Sequence, residues 1–108
     1  MSGSRVLDMS VAHRQLVLAI VGAVLPQGAR VWAFGSRTNG RARRYSDLDL
    51  AIDAGRRLTL DEAARLAEDF SDSDLPYKVD IVDWHGIDDR FRQLIATGRV
   101  PLTDGAGG

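Results

Sequence analysis

Three aspartates have the residue type and spacing for metal-dependent chemistry: Asp47, Asp49 and, further along the chain, Asp80. In a β-strand, residues i and i+2 point to the same face and lie about 6–7 Å apart. Two carboxylates held side by side repel each other, a cost that is tolerable on a strand face exposed to water or when a cation lies between them. If the strand of Asp80 neighbours that of Asp47 and Asp49, the three carboxylates can hold one or two magnesium ions, an arrangement suited to phosphoryl transfer.

A candidate phosphate-binding segment precedes these acids. Gly35 allows a phosphate to approach the backbone closely, and a helical turn beginning at Ser36 would point free amides at an anion. The connector that follows contains four arginines and no acid between them: Arg37, Arg41, Arg43 and Arg44. Charged runs in loops are usually solvated, so we assign phosphate contact to only one or two of them, with Arg43 preferred.

The elements that must position these residues follow from periodicity and turn signals. Helices are predicted from Ser10 to Pro26, from Thr59 onwards with a Thr59–Glu62 capping box, and over residues 88–97. Strands are predicted over 30–34, 47–53 and 77–84. The predicted apolar stripes of the second and third helices are Ala63, Leu66, Ala67 and Phe70, and Ile87, Phe91, Leu94 and Ile95. The order helix, strand, connector, strand, helix, strand, helix predicts a small sheet flanked by helices.

The composition of the chain excludes several classes of function. The chain has 108 residues, a net charge of −1, no cysteine and two histidines. We expect one domain over residues 1–102 and a disordered glycine-rich tail over 103–108. The balanced charge argues against a nucleic-acid coat or a polybasic membrane anchor, and the missing cysteines exclude a thiolate zinc site. The apolar run 16–25 is too short to span a bilayer and no signal peptide is evident, so a cytoplasmic protein is expected.

The spaced motif itself resembles a known family. Gly35-Ser36, ten intervening residues, Asp47-Leu48-Asp49 and a later strand aspartate resemble the nucleotidyltransferase superfamily of the DNA polymerase beta type. The stretch "GSRTNGRARRYSDLDLAI" is most similar to the minimal nucleotidyltransferase (MNT) proteins. The resemblance implies the nucleotidyltransferase fold, an α+β (α/β-like) arrangement with a small mixed β-sheet flanked by helices.

The resemblance also implies roles for individual residues. Asp47, Asp49 and Asp80 would be catalytic and would hold two Mg²⁺ ions, for which Mn²⁺ can substitute. The nucleotide-binding residues would be Gly35, Ser36, Arg43 and Ser46. Asn39 departs from the family pattern, because many relatives carry arginine there.

A partner and a reaction follow from the same resemblance. Minimal nucleotidyltransferases are often paired with an all-helical HEPN protein, a ribonuclease toxin that they neutralise as antitoxins by transferring AMP from ATP to a hydroxyl. The resemblance therefore implies a protein adenylyltransferase whose partners are a nucleoside triphosphate and a HEPN-type toxin, without stable nucleic-acid binding. Apolar helix faces are compatible with a homodimer.

Alternatives remain open at this point. The domain could neutralise a HEPN toxin by complex formation alone, with weak or no catalysis. Asp83 rivals Asp80 as the third acid, but strand parity favours Asp80, which lies between Val79 and Ile81. Packing roles are assigned to Trp32 and Trp84, with a partner surface as the alternative for Trp84. An exposed helix position is expected for His13 and a loop position for His85.

Overall fold

The computed structural model describes residues 9–35 and 47–103. Ser36, Arg43 and Ser46 therefore lie outside the described residues, as does the predicted tail beyond residue 103. The helices are α1 (Val11–Val24), α2 (Leu60–Ser71) and α3 (Asp89–Ala96), with a 3-10 helix at Trp84–Gly86. The strands are β1 (Arg30–Phe34), β2 (Leu48–Asp53), β3 (Val79–Asp83) and β4 (Val100–Pro101). No helix in the described ranges is long and apolar enough to cross a membrane.

The four described strands form one mixed sheet in the order β3-β2-β1-β4. β1 runs antiparallel to β2 and to β4, whereas β2 and β3 run parallel. A parallel pair needs a crossover, and α2 provides it between β2 and β3. The mixed sheet flanked by helices confirms the predicted fold class, to which the structure adds the two-residue strand β4.

Side chains at the helix starts explain where the helices begin. Ser10 accepts a hydrogen bond from the His13 amide at 3.1 Å and caps α1. Thr59 and Glu62 form the predicted capping box of α2, with amide-to-side-chain distances of 3.0 and 2.9 Å. A hydrogen bond from Arg56, then one from the Thr59 amide, lowers the pKa of Glu62 to about 2. In α1 and α2, the cap thus gives a partner to one of the first amides, which have none within the helix.

Two hydrophobic clusters cover the two faces of the sheet. The larger cluster packs α1 and α2 against one face, with Val17, Leu50, Ile52 and Leu66 among its fully buried members. The smaller cluster packs α3 against the other face around Trp32, Ala51 and Ile95. Successive residues of each strand therefore point alternately to the larger and to the smaller cluster.

Three predicted buried positions are wrong. Leu94 is 69% exposed, because α3 turns Phe91 and Ile95 toward the sheet and Leu94 lies about 100° around the helix from Ile95. Ala63 and Ala67 are also exposed. Only Leu66 and Phe70 carry the buried face of α2.

The two histidines both make specific contacts. His13 is half-buried rather than exposed, because its ring packs edge-on against Tyr77 and its Nδ1 lies 3.2 Å from the Tyr77 hydroxyl. His85 lies in the 3-10 helix that follows β3, with Nε2 2.6 Å from Asp53 Oδ1. His85 thus joins the segment after β3 to the end of β2.

Candidate active site

A row of side chains crosses the sheet at the point where β2 begins. Phe34 of β1 is the Cα partner of Asp49, and Asp49 is the Cα partner of Asp80. Residues directly opposite each other on neighbouring strands point to the same face. That face is the one covered by α3, because Phe34 packs against the smaller hydrophobic cluster. Because β3 neighbours β2, Asp80 and Asp49 point to the same face of the sheet, as their convergence requires.

These acids lie close enough for the charge of one to affect the pKa of another. Burial raises the pKa of Asp49, and the negative charges of Asp80 and Asp47 raise it further. Asp47 lies just before β2 and is exposed, whereas Asp49 and Asp80 are half-buried. Ionised Asp49 is thus held in an unfavourable negative field, which a cation would relieve.

The donor set of this row suits a hard divalent cation, because it consists of carboxylate oxygens. Within residues 9–35 and 47–103, no three side chains of His, Cys, Asp or Glu form a ready-made metal-binding group. Among the described residues, Lys78 places a positive charge beside this row, with its Nζ 3.7 Å from Asp80 Oδ1. The residues fit a cation by charge and donor type, and their assignment as metal ligands stays a prediction.

Gly35 lies directly against Asp49. Its φ is 84°, in the left-handed region that side chains rarely adopt. A β-carbon built on Gly35 would overlap Asp49 Oδ2. Glycine is therefore favoured here for two reasons: the backbone conformation and the space that the Asp49 carboxylate occupies. The structure gives Gly35 a role beside the acid that spacing alone did not suggest.

Asp83 is distinguished from Asp80 by its hydrogen bonds. Its two carboxylate oxygens accept from the Leu58 amide at 3.0 Å and from the His85 amide at 3.2 Å. These bonds tie the end of β3 to the segment before α2. Asp83 thus has a structural role, and Asp80 is the β3 acid that faces Asp49.

Two arginines that the sequence pattern did not mark lie near this face. Arg99 lies over both indole rings, 4.1 Å from the Trp32 centroid and 5.0 Å from that of Trp84. Arg92 donates to the Trp84 carbonyl at 2.9 Å. The contact of Lys78 with Asp80 was signalled by their spacing of two residues, which favours one face. No comparable signal marked Arg99, because its neighbours come from β1 and the 3-10 helix.

Comparison with known proteins agrees with this geometry. Residues 26–104 match the family described as polymerase beta, nucleotidyltransferase. A Haemophilus influenzae protein named a probable protein adenylyltransferase, MntA, is 49% identical over 81 residues, which cover 72% of this chain and 71% of that protein.

Two solved structures share the fold. A crystal structure of a toxin-antitoxin with AMP-PNP superposes with a TM-score of 0.73 at 26% identity, covering 83% of this chain and 72% of that one. A structure described as a minimal nucleotidyltransferase gives a TM-score of 0.62 at 36% identity, covering 83% and 89%. The chain belongs to the polymerase beta family of nucleotidyltransferases.

Proposed function

We propose that this protein is an antitoxin that transfers AMP from ATP to a hydroxyl group of a toxin protein. The observation that carries the proposal is the placement of Asp80 beside Asp49 on neighbouring parallel strands, with Gly35 packed against Asp49. A structural role alone would not favour two carboxylates side by side with a raised pKa at Asp49.

In this reaction, the acceptor hydroxyl oxygen forms a bond to the α-phosphorus of ATP. The bond from that phosphorus to the oxygen bridging the β-phosphate breaks, and its electron pair leaves with pyrophosphate. The hydroxyl proton passes to the Asp80 carboxylate, which is half-exposed and can return it to solvent. Gly35, Ser36, Arg43 and Ser46 bind the phosphates.

Asp47, Asp49 and Asp80 would hold Mg²⁺, with Mn²⁺ as a substitute. When bound, such an ion supplies positive charge to the phosphate oxygens as negative charge develops on them. The chain itself contributes the position of Asp49, because strand pairing on both sides fixes its backbone and Gly35, which has no side chain, leaves space for its carboxylate. Two relatives support the nucleotide: one is named an adenylyltransferase and the other was solved with AMP-PNP.

The proposed partner is a HEPN-type toxin in the cytoplasm. The toxin-antitoxin complex among the structural relatives supports a toxin partner. The HEPN class rests on the resemblance to minimal nucleotidyltransferases.

The test is mass spectrometry of the protein encoded by the adjacent reading frame, after incubation with this chain, ATP and magnesium. We expect the mass of one or more adenylyl groups to appear on that protein, and to be lost with Asp49→Asn and Asp80→Asn. Asp89→Asn is the matched control, because its carboxylate is 91% exposed on α3. A stable neutralising complex without added mass, from any nucleoside triphosphate, would contradict transfer and support neutralisation by binding.

A further inference from the structure

A cleft of about 590 Å³ lies on the side of the sheet opposite the row of acids, between α2 and β3. It is lined by Ala63 and Ala67 of α2, by Tyr77, and by Val79, Asp80 and Ile81 of β3, among others. The two alanines that were predicted to be buried are therefore exposed because they line this cleft. One turn before them, Leu60 is 90% exposed.

The backbone beside the cleft can accept another strand. β3 is at the edge of the sheet among the described strands. The Lys78 carbonyl accepts from the Leu48 amide at 2.8 Å, so Lys78 and Asp80 direct their backbone groups toward β2. Because these groups alternate along a strand, those of Val79 and Ile81 point to the open edge, the side of β3 that no described strand covers.

Side-chain alternation links this edge to the candidate active site. Val79 and Ile81 face the cleft, whereas the Asp80 side chain faces the row of acids. A strand added beside β3 would alternate in the same way. A residue placed opposite Asp80 would point to the acids, and both of its neighbours would point into the apolar cleft.

The charge around the cleft selects the kind of occupant. The described charged residues that line the cleft are Asp80, Asp83 and one cation, Lys78. Residues 60–78, which run from α2 to β3, contain six acidic and two basic residues, of which Glu62 is paired with Arg56. This net negative charge disfavours a phosphate-rich ligand and favours a basic one. By contrast, the four arginines of the connector lie in residues 37–44. Nucleotide and acceptor would thus use parts of the chain of opposite charge.

We infer that the α2–β3 cleft and the open edge of β3 bind the acceptor protein as an extended segment, in which a hydroxyl residue lies between two apolar residues and basic residues flank them. The role of the hydroxyl as acceptor of AMP rests on the proposed function. The docking itself involves no nucleotide.

The experiment measures binding of a labelled peptide, Arg-Lys-Val-Tyr-Val-Lys-Arg, by fluorescence anisotropy without nucleotide. Ala67→Arg fills the cleft and should raise the Kd by about tenfold or more. Ala64→Arg is the matched control, because Ala64 is exposed on the same helix but does not line the cleft, and its Kd should stay within about twofold. Ala63→Arg repeats the test at a second wall position, and circular dichroism checks the fold of each variant.

Amide hydrogen exchange identifies the edge directly. Peptide binding should slow exchange at Val79 and Ile81 and change Asp80 less, because the Asp80 amide already pairs with β2. Replacing both valines of the peptide by aspartate should abolish binding. Equal Kd values for Ala67→Arg and Ala64→Arg, or unchanged exchange at Val79 and Ile81, would overturn the inference.

Two further outcomes separate the inference from its rivals. Self-association of the wild-type protein that Ala67→Arg abolishes would assign the cleft to a second copy and overturn the inference. Binding with the expected variant effects, but without transfer of AMP to the peptide when ATP and magnesium are added, would leave the docking supported. That result would count against the proposed reaction alone.

Discussion

Replacing Gly35 by alanine should damage the candidate site more than the fold. The φ of 84° costs an alanine roughly 1–2 kcal/mol relative to glycine. The new β-carbon also overlaps Asp49 Oδ2, and a carboxylate that turns about 30° from its rotamer to make room costs about 0.5–1.5 kcal/mol more. We therefore expect a total destabilisation of roughly 1.5–3.5 kcal/mol.

Gly55 offers a matched control for the backbone contribution. Its φ is 80°, and a β-carbon there would meet nothing within 4 Å. Gly55→Ala should cost only the roughly 1–2 kcal/mol of backbone strain, which lowers Tm by about 4–16 °C in a domain of this size.

Thermal unfolding and the adenylyl-transfer assay together separate the two effects. Gly35→Ala should be the less stable variant and should lose transfer, whereas Gly55→Ala should keep transfer at a temperature where both are folded. Equal stabilities with full transfer in Gly35→Ala would refute the argument that the Asp49 carboxylate needs the space that Gly35 leaves open.

Two more predictions concern charge and helix capping. Folding raises the pKa of Asp49, so the ionised group destabilises the protein above its folded pKa and the effect fades as pH falls toward the unfolded value near ~3.9. Asp49→Asn should therefore increase the free energy of unfolding in urea at neutral pH, by up to about 0.5 kcal/mol because Asp49 is partly exposed. This gain should vanish near pH ~3.5, where the carboxyl group is protonated in both states. A lower free energy of unfolding at neutral pH would contradict the prediction. Thr59→Ala removes the N-cap of α2 and should cost about 1 kcal/mol, seen as a lower urea midpoint with transfer unchanged; an unaltered midpoint would show that the cap contributes nothing.

Local features of the sequence determined the helix starts and most of the strand positions. Ser10, Thr59 and Glu62 act within a few residues of themselves, so their capping roles can be read directly from spacing. The same holds for the strand Arg30–Phe34 and for the two-residue spacing of Asp47 and Asp49. The relative positions of residues a few places apart follow from the local backbone conformation. The local sequence pattern is therefore enough to predict them.

Contacts between distant elements were decided only by the tertiary structure. The alignment of Asp80 with Asp49 depends on the parallel register of β3 on β2, and the fit of Gly35 against Asp49 depends on the pairing of β1 with β2. Apolar periodicity also overestimated burial, because it marks a helix face without showing what covers that face, as Leu94 demonstrates. The sequence alone thus determined which residues could perform the chemistry, while strand register and helix packing decided which of them meet, because those depend on contacts between residues far apart in the chain.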